Sequence, residues 1–180
     1  MRFELLPAEI EMRLRERFAR LSDFQVPIER ALLRAAALPF YDDTILVAAE
    51  DPSRHGLRER FVLVHDPVDR AVCSVLKWTN KEIYEWNDRF GVRLSEDDVA
   101  LTYAQFFFCF VRGQLGRFLF AERLEDLDWE AEAGDLDRAR VAKHLEPIRV
   151  TERTADFVRL SGTISFKNAL FRTDVDAGHQ

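Results

Sequence analysis

Glycine is scarce in this chain. Its seven glycines in 180 residues are too scattered to build a phosphate-binding loop, a dinucleotide fingerprint or a G-x-S-x-G nucleophile turn. Cysteine is scarcer still: Cys73 and Cys109 both lie in apolar runs, which rules out a disulfide framework and predicts reduced, inert core thiols. The four histidines (His55, His65, His144 and His179) form no H-x-H or H-x-x-x-H spacing, and no C-x-x-C accompanies them. No local metal signature results, and no cofactor is expected. Positive charge is not in excess. A net charge of −6 argues against nucleic acid as a partner. No apolar run approaches the ~20 residues of a membrane span, so no membrane partner is expected. Acids in MRFELLPAEIE occupy the place of a signal peptide's apolar region, and a cytoplasmic location is expected.

What is present is an ordinary globular composition, 47% hydrophobic and 32% charged. The length suits a single domain over 1–180 that buries about 70% of its unfolded surface. The segment around which the rest is organised is SEDDVALTYAQFFFCFVRGQLGRFLFAE, 95–122. Ser95 and Asp98 have the spacing of a capping box, and Gly113 stands where a C-terminal cap belongs. Between them Val99, Tyr103, Phe106, Phe107, Phe110 and Val111 share one face, with Thr102, Gln105, Cys109 and Arg112 as a thin polar edge. A helix so apolar is expected to be buried on most sides. The four apolar residues after Arg117 predict a strand covered on both faces.

In chain order, 7–21 is the clearest amphipathic helix, with Ile10, Leu14, Phe18 and Leu21 on one face. A second helix is expected from Pro27 to Ala37. Residues 44–49, 60–65 and 71–78 read as a three-stranded antiparallel meander. Thr79 opens a helix to Phe90. A short helix is expected from Leu136 to Leu145, and strands at 148–151, 157–167 and 170–175. In the 157–167 strand, Val158, Leu160, Gly162, Ile164 and Phe166 face the core, and the alternate residues face water. The fold expected is α+β: an antiparallel sheet of about six strands packed against N-terminal helices and a Phe-rich central helix.

Two surfaces qualify for partner binding. One is the basic face of the first helix, Arg13, Arg17 and Arg20. The other is the acidic stretch 122–137, which holds eight carboxylates, with Glu125, Asp126, Asp128 and the aromatic anchor Trp129 as its candidates. Asp126, Asp128, Glu130 and Glu132 alternate as calcium ligands do, but Ala131 stands where that loop needs its turn glycine, so no metal is expected. The reading these residues support is a non-catalytic cytoplasmic module that binds another protein or itself. The alternative is a small-molecule-binding protein or enzyme with an aromatic pocket between sheet and central helix. Trp78, Tyr103 and Phe107 would line that pocket, with His65 and Tyr84 as its polar groups.

Overall fold

The computed structural model describes residues 1–53, 59–113, 116–129, 134–167 and 169–178. Their α+β architecture has four α-helices, one 3-10 turn and ten strands, in two five-stranded antiparallel sheets rather than one sheet of about six. The chain divides into two compact units, Met1–Lys77 with Lys81–Gly91, and Trp78–Asn80 with Val92–Gln180.

The first unit is a meander: β1 (Glu4–Leu5), β2 (Leu32–Ala37), β3 (Thr44–Glu50), β4 (Glu59–His65) and β5 (Val72–Val75) pair in sequence order. The predicted three-stranded meander is therefore its β3–β5 core. The helix expected over 27–37 is not there. Residues Leu32 to Ala37 lie in full register with Glu50 to Ile45, so cross-strand pairing overrides the helix preference of its three alanines. Helix α1 (Ala8–Phe18) buries Leu14 and Phe18 against Leu33, Val47, Ala49, Val62 and Val64. The opposite face of β3 and β4 is also closed, since Leu46 and Leu63 have no exposed surface. Burial on both faces is what the continuous apolar runs TILVAA and FVLV require. Arg15 fastens α1 to the following loop: its guanidinium bonds Glu11 at 2.6 and 3.0 Å, the Ala31 carbonyl at 2.7 Å, and the Ile28 carbonyl. Helix α2 (Lys81–Phe90) buries Ile83 and Trp86.

The second unit is built on one strand. β9 (Phe157–Phe166) pairs along its whole length with β10 (Ala169–Gly178). Its other edge is shared by β8 (Arg149–Arg153), beside the first half, and β7 (Gly116–Phe120), beside the second. The two-residue β6 (Arg112–Gly113) adds to the far side of β7. Helix α3 (Asp97–Phe110) packs Leu101, Ala104 and Phe108 on Leu160, Ile148 and Phe120. Neither expected cap forms. The N-cap is Glu96, without a side-chain bond, and Val111 is already extended, because the Arg112 amide bonds the Trp78 carbonyl at 2.9 Å and draws the chain into β6.

Two burial expectations are corrected here. β7 is covered on one face only, with Arg117 and Leu119 exposed. On β9 the polar face is not in water: Ser161 and Thr163 are 8% and 2% exposed. His144 and Glu146 take up the Thr163 hydroxyl. Thr163 Oγ1 donates to the His144 carbonyl at 2.8 Å and accepts from the Glu146 amide at 2.9 Å. Helix α4 (Asp135–Ala142) has no buried residue. Among the described residues no helix is long and apolar enough to cross a membrane.

Candidate functional site

The acidic stretch folds in on itself. Asp126 Oδ2 accepts from the amides of Glu122 and Arg123 at 3.0 and 2.9 Å, closing the 3-10 turn Leu124–Asp126. Trp129 donates its indole N–H to the Leu124 carbonyl at 2.9 Å, and the Arg138 guanidinium lies 5.3 Å from its ring. Half-buried and hydrogen-bonded, Trp129 is a clasp on this turn. Glu125 and Asp128 are exposed, whereas Glu130 and Glu132 lie outside the described residues.

On helix α1 the selected arginines have separate surroundings. Arg13 donates to the Val68 carbonyl. Arg17 hydrogen-bonds the Cys73 thiol, and Arg20 is exposed. Burial pushes the Cys73 thiol up to about 11, opposed by the charge and hydrogen bond of Arg17. That fits the expected inert thiol. Cys109 does not, because it lies on the exposed edge of α3 with Gln105.

The five pocket candidates fall in different units. His65 and Tyr84 belong to the first, and Trp78, Tyr103 and Phe107 to the second. His65 stacks on Phe90 with ring centres 4.1 Å apart, and its Nδ1 lies 3.3 Å from Thr44 Oγ1. Tyr84 is 45% exposed. Tyr103 is buried, its ring 6.4 Å from that of Phe107. His55 and His179 lie outside the described residues. The first unit carries an open groove of about 380 Å³ lined by Leu38, Tyr41, Asp43, Thr44 and Asp66 among others, and by none of the five candidates.

Two features go beyond the strands expected at 170–175 and after Arg117. The first is β10. It has ten residues, is bonded to β9 on one edge, and has no described strand on the other. Phe171 on it is 48% exposed. The second is the β6–β7 hairpin. Its register sets Arg112 directly opposite Arg117, so both side chains leave the same face. Both pack on Trp78, with the Arg112 guanidinium 3.8 Å and the Arg117 guanidinium 5.4 Å from its ring centre. Glycines at 113 and 116, with arginines flanking both, were the available signal for a hairpin carrying two cations. Comparison with family models, curated proteins and solved structures finds no match.

Proposed function

We propose that the chain is a non-catalytic cytoplasmic module that associates with a second copy of itself through β10. The observation that carries this reading is the length of that free edge: ten residues whose outward N–H and C=O groups form a pairing template. Short edge strands and prolines ordinarily blunt such an edge, and β10 has neither; its charges are Arg172, Asp174 and Asp176.

Charge selects the occupant. In an antiparallel pair of β10 strands centred on Thr173, Arg172 of each copy faces Asp174 of the other. Phe171 then faces Val175 on the opposite side of the ladder. Both cross-strand pairs are of the favourable kind, opposite charges and apolar with apolar. The exposed ring of Phe171 gains cover in the same step. Cys73 and Cys109 as free thiols accord with a reducing compartment.

Sedimentation and light scattering over a range of concentrations test the reading. A dimer is expected. Arg172→Glu, which sets like charges opposite each other twice, weakens it roughly tenfold. Adding Asp174→Arg restores the opposite-sign pairs and the dimer. A monomer throughout, or a dimer indifferent to Arg172→Glu, overturns the proposal. The second reading, a small-molecule site, is favoured by the open groove beside Tyr41 and Asp66. Native mass spectrometry separates the two, a retained ligand adding mass to the chain and self-association doubling it.

A further inference from the structure

We propose that Arg112 and Arg117, positioned by Trp78, form a binding site for a small phosphate monoester dianion. The proposal is independent of self-association through β10.

Like charges directly opposite each other on a ladder destabilise it. Arg112 and Arg117 are such a pair. Most paired arginines of this chain are answered by acids: Arg15 by Glu11, Arg30 by Asp51, Arg34 by Glu50, Arg153 by Asp97, Arg159 by Asp176 and Arg172 by Glu146. Among the described residues neither Arg112 nor Arg117 has a carboxylate in an ion pair, and what holds them is the electron-rich face of one indole. Burial and then the charge of Arg117 lower the proton affinity of Arg112, opposed by Cys109 and by no carboxylate. Lys167 adds a third cation at the same end of the sheet, since it follows Phe166, whose cross-strand partner Phe118 follows Arg117. In a chain of net charge −6 this is a local positive excess with no carboxylate paired to either arginine among the described residues.

Trp78 is held at a cost. Its φ of 67° is in the left-handed region, unusual and strained for so bulky a residue. The Arg112 amide bonded to its carbonyl keeps it there. The indole thereby fixes two guanidinium forks side by side. A monocarboxylate would neutralise one of them. A phosphate monoester carries two charges and three terminal oxygens, and can meet both forks at once.

The test is a titration of the whole chain with inorganic phosphate at constant ionic strength, followed by the side-chain N–H resonances of Arg112, Arg117 and Trp78. Acetate serves as control. Saturable shifts at these groups with phosphate and not with acetate are expected, and affinity falls at least about tenfold in Arg117→Gln and in Arg112→Gln. Shifts of equal size with acetate, shifts that never saturate, or binding unchanged in both variants overturn the proposal. The wild-type comparison of phosphate with acetate decides the matter even if a variant folds poorly.

Discussion

Gly162 and Ile148 meet so closely that one of them can have no side chain. A Cβ on Gly162 would lie 2.8 Å from Ile148 Cα and 3.2 Å from its Cβ and amide nitrogen. The glycine is therefore required for Ile148 to approach β9 this closely, not for any unusual backbone angle. Gly162→Ala is expected to cost about 1–3 kcal/mol, read as a lower denaturation midpoint in urea. The obstructing atoms include backbone, so trimming the neighbour as well, in Gly162→Ala with Ile148→Ala, does not rescue stability. A rescue would show that the side chain alone makes the contact.

Thr163 carries a second load on the same strand. Thr163→Val preserves its shape but leaves the His144 carbonyl and the Glu146 amide without their partner, at a cost of about 1–3 kcal/mol. Thr163→Ser keeps the hydroxyl and should retain most of that stability. Equal losses in the two variants would point to packing of the methyl group instead of the hydrogen bonds.

Arg159 and Asp176 face each other across β9 and β10, joined by two hydrogen bonds of 2.7 and 2.9 Å, with Glu152 on the same guanidinium at 2.8 Å. The Arg159 bond holds the Asp176 carboxyl below the usual carboxylate range. A carboxyl lowered in the folded state contributes stability above its unfolded value, and that contribution is lost as pH falls through the folded value. Arg159→Gln should move Asp176 upward in a carbon-detected NMR titration. The stability gap between wild type and variant should be widest near neutrality and narrow below about pH 4. A gap independent of pH would contradict this account.

The two thiols should separate cleanly in rate. With its thiol pushed up to about 11, Cys73 has roughly one thiolate per thousand molecules at pH 8, and it is half-buried besides. Exposed Cys109 should alkylate first, at least about tenfold faster, as followed by peptide mass mapping. Arg17 lowers the Cys73 value, so Arg17→Ala should slow Cys73 further. Faster labelling of Cys73 in that variant would mean that the arginine shields the thiol more than it activates it.

Period-two alternation made β9 legible, and its apolar face, Val158, Leu160, Gly162 and Ile164, is indeed buried. The burial of Thr163 was not legible, because its partners His144 and Glu146 carry no pattern that announces where they bond. The LLRAAA segment misled for a related reason. Its alanines favour a helix locally, and only the neighbouring strand Ile45 to Glu50 decides otherwise. For Trp129 among its acids the sequence allowed both a partner anchor and a lid folded onto the core; its indole bonds the Leu124 carbonyl. The arginine pair over Trp78 depends on hairpin register and on a chain segment more than thirty residues upstream, neither of which periodicity reports.

The place of β9 also has a consequence for synthesis. β7 leaves the ribosome well before the strand it must pair with, and at roughly 5–20 residues per second the wait lasts a few seconds. During that interval Phe118 and Phe120 have no sheet to join, and the ring of Phe108 on the preceding helix, 6.4 and 5.0 Å from theirs in the finished fold, is their nearest shelter. The nascent chain at that stage presents an aromatic cluster on one half-made hairpin. That is the window in which a chaperone would find it.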